Sequence, residues 1–364
     1  MKIIITGGAG YIGSHTIVEL SNAGYDIVCF DSMERADPEI WRRTLELSNK
    51  PVTLEKIDLT NLELVREAIS KHKDAVAVMH FAAFKSSPES VKNPMLYFHN
   101  NVTSLINILK ALESTSNNIN MFLFSSSCSV YGDADELPVT ENAPFKEAKS
   151  PYARTKQISE LILKDVSMYS KKLHTVSLRY FNPVGAHKSY KIGEPLVGEP
   201  ENLFPRIMLA ITGRLPAFTI YGSDYPTHDG TPIRDYIHIL DLARAHVLAL
   251  QWMLKQKPTY EVFNLGSGTG LSVLQVIKAF EKYIGVKVPY SIGSRRPGDV
   301  AEIYASFDKA RRILGWEPKL LVKDMVIDTW KWYLHMENNT YFRKKLDSKF
   351  PRDYPSSFPL NYPK

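Results

Sequence analysis

Tyr152 and Lys156 stand four residues apart in the stretch Ser150-Pro151-Tyr152-Ala153-Arg154-Thr155-Lys156. On a helix that spacing puts both side chains on one side. A lysine ammonium beside a phenol favours the phenolate. Tyrosine's ordinary pKa of about 10 must fall before the group can act as a base near neutrality. Such a pair arises often by chance, leaving Tyr152 as a core phenol and Lys156 as a surface charge. What lifts it here is position. It follows a serine run, Ser125-Ser126-Ser127, and lies downstream of an opening stretch suited to a nucleotide.

That opening stretch begins with Lys2-Ile3-Ile4-Ile5-Thr6, a β-branched run that reads as a buried strand. Gly7, Gly8, Gly10 and Gly13 follow, then a helical segment over Ser14–Asn22. Two glycine registers fit: Gly8-Ala9-Gly10 through Gly13, and Gly7, Gly10 and Gly13. A strand, a glycine turn and a helix N-terminus together receive a pyrophosphate, because backbone N–H groups approach it and the helix end carries partial positive charge. Residues 26–30 read as a second strand ending at Asp31. An acid at this strand tip, ~20 residues past the glycines, accepts ribose hydroxyls and repels a 2′-phosphate. This favours NAD over NADP, although Arg35, Arg42 and Arg43 nearby leave NADP open. A positive nicotinamide ring would also favour a Tyr152 phenolate.

The elements that must position these residues alternate. Val52–Ile57 and Val76–Phe81 read as strands, with a helix over Leu62–Lys71 between them. Asp58-Leu59 can meet the adenine, cap that helix, or do both. Phe81-Ala82-Ala83-Phe84-Lys85 places small residues at a strand's carboxyl end, leaving room for a cofactor. Pro94–Ser114 reads as one long helix carrying Asn100. Met121–Ser125 is a fifth strand, a helix runs from Ser150 to about Met168, and Leu173–Tyr180 is a sixth strand leading into Phe181. This alternation predicts an α/β fold, a Rossmann-type doubly wound parallel sheet with right-handed crossovers.

After Tyr180 the pattern changes. Residues 186–235 are rich in Gly and Pro and read as a smaller α/β substrate domain. A helix over Leu240–Leu254, a strand over Glu261–Gly266 and a helix over Ser272–Ile284 follow. The chain thus divides into a dinucleotide-binding domain, 1–182, a substrate domain, 183–338, with some elements returning to the first, and a tail, 339–364. The loop Ser294-Arg295-Arg296-Pro297-Gly298-Asp299 could clamp a diphosphate together with Arg234 through forked hydrogen bonds, or be a solvated basic loop. In the tail, Phe350-Pro351, Tyr354-Pro355, Phe358-Pro359 and Tyr362-Pro363 repeat every four residues. That excludes regular helix and reads as an extended strap or a docking peptide.

Composition narrows the class. The 364 residues, 44% hydrophobic and 23% charged, support a large core. The net charge of +6 is scattered rather than blocked, which argues against nucleic acid. The two cysteines, Cys29 and Cys128, offer neither a metal set nor a disulfide framework, so no metal is expected and a reducing cytoplasm is. No apolar run approaches the ~20 residues of a membrane span, so no membrane partner is expected.

With these residues placed, the chain resembles the extended short-chain dehydrogenase/reductase family, and within it the UDP-glucose (UDP-galactose) 4-epimerases, from about Met1 to Trp332. The resemblance rests on Thr6–Thr16, on Ser125-Ser126-Ser127 with Val130-Tyr131-Gly132-Asp133, on Ser150-Pro151-Tyr152, on Arg179–His187, and on Asp229-Gly230-Thr231 with Arg234–His238. It implies reversible NAD-dependent epimerisation at C4 of a UDP-hexose through a 4-keto sugar, with N-acetylhexosamine or pentose substrates as the alternative. It implies that Tyr152 is the base, that Lys156 lowers its pKa and holds the nicotinamide ribose, and that Ser127 orients the sugar hydroxyl. The cofactor positions it implies begin with Gly7, Gly10, Tyr11, Ile12 and Gly13, with Asp31 and Ser32, and with Asp58 and Leu59. They continue with Phe81, Ala82, Ala83 and Lys85, then Asn100, Ser125, Tyr180 and Phe181. The substrate positions are Asn182, Asn202, Leu203 and Tyr221, then Arg234, Arg296, Asp299 and Ile303. The helix pair 94–115 and 152–169 is expected to form a four-helix bundle in a homodimer.

Three stretches depart from the family pattern. Ser32-Met33-Glu34-Arg35 replaces an Asn-containing turn, Ser86-Ser87-Pro88 replaces a small Ala-Val-Gly run, and Ile303 is intermediate between the bulky and small residues used there. The related 4,6-dehydratases and decarboxylases place an acid just after the position of Ser127, where this chain has Cys128-Ser129. A non-catalytic dinucleotide sensor would lack the Tyr152–Lys156 pair.

Overall fold

The structure, a computed structural model, describes residues 1–170, 172–195, 200–296 and 298–356. The first half runs β1 (Lys2–Thr6), α1 (Tyr11–Asn22), β2 (Asp26–Asp31), α2 (Pro38–Leu47), β3 (Val52–Lys56), α3 (Leu62–Lys71) and β4 (Ala77–His80). It continues with α4 (Ser87–Lys92), α5 (Pro94–Tyr97), α6 (Ser104–Ser114), β5 (Met121–Ser127), α7 (Pro151–Ser170) and β6 (His174–Tyr180). The second half holds β7 (Asn182–Val184), α8 (Leu203–Ile211), β8 (Phe218–Tyr221), β9 (Ile233–His238), α9 (Ile239–Met253), β10 (Tyr260–Leu265) and β11 (Gly270–Ser272). Then come α10 (Val273–Ile284), β12 (Tyr290–Gly293), β13 (Glu302–Ile303), α11 (Asp308–Leu314), α12 (Val322–Asn338) and α13 (Thr340–Lys349).

Seven strands form one parallel sheet in the order β10-β6-β5-β4-β1-β2-β3. The order reverses between β1 and β4, and that switch point opens a crevice at the strands' carboxyl ends. Two apolar layers seal the sheet. One packs Ile3, Ile5 and Leu123 against Ile17 of α1, Leu242 and Ala245 of α9 and Trp316. The other packs Ile4, Val78 and Phe122 against Ile69 of α3, Ile108 of α6 and Leu163 of α7. A third core joins α8, α10, α12 and α13, with Phe204, Phe280 and Trp332 inside it.

The alternation read from sequence is the alternation observed, and β10 returns to the first sheet. Three local expectations are corrected. The helix over 94–114 is interrupted: Phe98–Thr103 is a π-helical segment between α5 and α6, and it carries Asn100. Asp58 does not cap α3. Asn61 does, accepting from Glu63 and Leu64 N–H at 3.1 and 3.3 Å, while Asp58 accepts from Thr60. The segment set off from 339 as a Pro/aromatic tail begins instead with α13, whose ten residues precede the first aromatic-Pro pair. Helix α13 docks through Lys345 and Tyr341 on Asp37, the residue that caps α2. Tyr354 N–H then reaches the Gly213 carbonyl at 3.2 Å. Phe358-Pro359 and Tyr362-Pro363 lie outside the described residues.

Candidate active site

The turn after β1 is forced by sterics. Gly7 has φ +68°, and a Cβ there would sit 2.6 Å from the backbone nitrogen of Ala82. A Cβ on Gly13 would lie 2.3 Å from the Gly7 carbonyl oxygen. Only glycines let the turn fold this tightly against the loop after β4. Gly10 is the N-cap of α1 and offers no capping side chain, so the first-turn N–H groups, those of Tyr11, Ile12 and Gly13, are available to an anion. Asp31 stands beside them, accepting from Ala9 N–H at 3.0 Å and Met33 N–H at 2.8 Å. Burial raises its pKa, and a carboxylate has lone pairs left for ribose hydroxyls. This cradle fits a dinucleotide. The nearby guanidiniums are committed elsewhere: Arg35 forks onto Glu89, Arg42 pairs with Glu39 and Glu46, and Arg43 pairs with Glu39. That removes the argument for a 2′-phosphate, and NAD is the cofactor.

Register places the reacting groups. β5 pairs with β6 so that Ser127 lies opposite Tyr180. Helix α7 starts at Pro151, and the Ser150 hydroxyl accepts from Ala153 N–H at 3.2 Å. That start brings Tyr152 against Ser127. Lys156, 4% exposed, donates to the Ser125 carbonyl at 2.6 Å, and its Nζ lies 5.8 Å from the Tyr152 ring centroid. Burial dominates at both groups, pushing Tyr152 up to about 12 and Lys156 down to about 7. The Ser127 hydroxyl is the neighbour that pulls Tyr152 down.

The other positions expected on the cofactor side follow strand ends of the first sheet or lie on the helices after them. Phe81, Ala82 and Ala83 line the loop after β4, and Leu59 is buried at the tip of β3. Lys85 pairs with Glu194 at 3.0 Å, and Asn202 donates to the same carboxylate at 2.5 Å. Asn100 donates to Asn101 Oδ1. Sequence reading missed Asn101. Buried, it accepts from Phe84 N–H at 2.8 Å and donates to the Phe84 carbonyl and to Thr155 Oγ1, fixing the loop to α7. Its only signal was an Asn-Asn pair within a helical run. The Tyr180 hydroxyl is bonded to His246 of α9, and it also lies close enough to Ser125 and Tyr152 to interact with both. Ser32 lies exposed past Asp31, its hydroxyl accepting from Glu34 N–H.

The positions expected on the substrate side make the following contacts. Asn182 donates to the Asp235 carbonyl at 2.7 Å. Arg234 pairs with Asp299, and Arg296 lies 4.0 Å over the Tyr221 ring. The three-guanidinium clamp is not assembled. Arg295 is drawn away to Asp224 at 2.7 Å and stacks on Tyr225 at 4.2 Å. β13 pairs with β9 so that Ile303 sits beside Arg234, buried with Phe181, Val130 and Tyr131. Leu203 opens α8 at the edge of the third core.

A doubly wound sheet with a glycine cradle at its switch point, and a serine, phenol and lysine set next to it, defines a dinucleotide-dependent enzyme. The model of the NAD dependent epimerase/dehydratase family matches residues 3–266, and the chain belongs to that family. UDP-glucose 4-epimerase of Drosophila melanogaster is 47% identical over 338 residues, spanning 91% of this chain and 95% of that one. The crystal structure of UDP-glucose 4-epimerase from Bifidobacterium longum in complex with NAD+ and UDP is 40% identical. It superposes with a TM-score of 0.88 over 92% of this chain and 98% of that one. The enzyme from Stenotrophomonas maltophila, with bound NAD and formylated UDP-arabinopyranose, is 43% identical with a TM-score of 0.88, over 93% and 99%.

Proposed function

We propose that this chain inverts C4 of a UDP-hexose reversibly, interconverting UDP-galactose and UDP-glucose, with Tyr152 as the base. When bound, NAD supplies the acceptor and then the donor of the C4 hydride. The chain's own residues do the rest. Tyr152 takes the proton of the C4 hydroxyl and returns it, and Ser127 orients that hydroxyl and eases the phenol's ionisation. Lys156 supplies positive charge beside the phenol and a donor for the nicotinamide ribose. Gly7, Gly10 and Gly13 with the first turn of α1 hold the pyrophosphate, and Asp31 holds the adenosine ribose. Asn182, Asn202, Arg234 and Arg296 hold the UDP, which anchors the substrate while the hexose stays free to turn over.

The observation that carries this reading is the Ser127–Tyr152–Lys156 set with no acid after Ser127. Cys128 and Ser129 stand where an elimination would need a carboxylate, so the sugar is oxidised and reduced without losing water or carbon dioxide. UDP-galactose incubated in deuterated water should give UDP-glucose with no solvent deuterium at C4, because the hydride leaves and returns. Solvent deuterium at C4, or a 4-keto-6-deoxy sugar as product, would overturn the reading.

Two further features belong to the proposal. The faces of α5 and α7 expose Met95 (74%), Leu161 (51%), Met168 (54%) and Tyr169 (79%); Val91 and Leu96 adjoin them. A second copy covering this stripe would build a four-helix homodimer interface. Both cysteines are free, and no helix among the described residues is long and apolar enough to cross a membrane. Both facts support a cytoplasmic setting.

A further inference from the structure

One stretch that departs from the family pattern, Ser32–Arg35, meets the residues on either side of another, Ser86–Pro88. Arg35, from the loop after β2, donates a fork to Glu89 of α4, with distances of 2.8 and 2.9 Å. Its guanidinium also lies 3.6 Å over the ring of Phe84, from the loop after β4. The bridge has a rigid anchor. Glu89 accepts from the Tyr97 hydroxyl at 2.7 Å, and Tyr97 is fully buried. The same hydroxyl accepts from Ser86 N–H at 3.0 Å.

Strand order decides what this bridge crosses. β2 and β4 flank β1 on opposite sides, and β1 ends in the glycine cradle. A link from the loop after β2 to the loop after β4 therefore spans the carboxyl edge above that cradle. We propose that Arg35, Glu89 and Phe84 form a bar across the dinucleotide cleft. The bar positions no reacting atom. It must open for NAD to enter or leave, so it sets how long the cofactor stays. This rests on the NAD-dependent reading above and adds to it, since an epimerase that regenerates its cofactor every turnover gains from holding it.

A gate and a ligand contact leave different kinetic marks. Opening a gate speeds entry and release together and leaves affinity nearly unchanged, whereas losing a contact speeds release alone. The test uses the purified full chain, with NAD binding and release followed by stopped-flow fluorescence. The variants are Arg35→Ala, Glu89→Gln and the double variant. Glu89→Gln keeps an acceptor for Tyr97. Each single variant is expected to raise both rates roughly tenfold, as for a charged fork with a stacked ring. The dissociation constant should move less than threefold. The double variant should be no faster than either single one, because the two residues act as one unit. Unchanged rates, a rise in release alone, or singles that multiply in the double variant would overturn the bar. Wild-type protein that binds no NAD would overturn the underlying reading instead, and the two failures are told apart by that one control.

Discussion

At the scale of single residues the site is governed by burial. A phenol in apolar surroundings resists ionisation, and Tyr152 sits at about 12. A buried amine resists protonation, and Lys156 sits at about 7. Neither value suits catalysis alone; each group needs opposite charge brought close by the other or by bound ligand. The lysine's burial has a measurable consequence for stability. Above its ordinary value of 10.5, neither the folded nor the unfolded chain carries the charge, and nothing is lost. As pH falls from 10.5 toward 7 the unfolded chain takes up the proton and the folded chain does not, so stability declines; below 7 the loss is complete. Lys156→Met removes this dependence. Urea melts of cofactor-stripped protein should show the variant gaining on wild type as pH falls across that window, by on the order of 5 kcal/mol if the whole shift is expressed. A difference that stays flat with pH would show that Lys156 is not charged at the expense of the fold.

At the scale of elements, what could be read from sequence was what is local. β1 is a run of three isoleucines ending in a glycine turn, and α7 announces itself with Ser150-Pro151. Both were legible because strand burial and helix capping act over a few residues. The π-helical segment at Phe98–Thr103 was not, since it shares the apolar pattern of an ordinary helix. Nor was α2 read as a helix, although Asp37-Pro38 marks its start. The place of Arg295 was not legible for a non-local reason: it finds Asp224, 71 positions away, and no spacing rule shows that. The glycine turn is where local reading makes its firmest prediction. In Gly13→Ala the new methyl would press on the Gly7 carbonyl and the Gly8 Cα at 2.3 and 2.7 Å, and backbone cannot step aside cheaply. Calorimetry should show a loss of roughly 2 kcal/mol, and the purified variant should carry no NAD. A variant with normal cofactor content would mean that the turn does not hold the pyrophosphate.

At the scale of the whole molecule, three cores are tied by elements that cross between halves. β10 from the second half closes the first sheet. Helix α13 reaches back to Asp37 at the start of α2, through Lys345 and Tyr341. Arg214 is buried against Glu337 at 2.8 Å and also holds Asp347 of α13. None of these pairings has a sequence signature, which is why the tail read as an extended strap rather than a docked helix. The apolar side chains exposed on α5 and α7 form the interface proposed above. Leu161→Arg with Met168→Arg places two charges in the proposed interface. Sedimentation should find wild type as a dimer and the double variant as a monomer of unchanged melting profile; a double variant that still dimerises would place the interface elsewhere.

The account stands on Tyr152 and a cofactor that remains in place, and one assay reaches both. Wild-type protein, given UDP-galactose and no added NAD, should form UDP-glucose continuously. Tyr152→Phe, matched for NAD content and melting temperature, should do so roughly a thousandfold more slowly. Conversion by Tyr152→Phe at a rate near that of wild type would contradict the account directly.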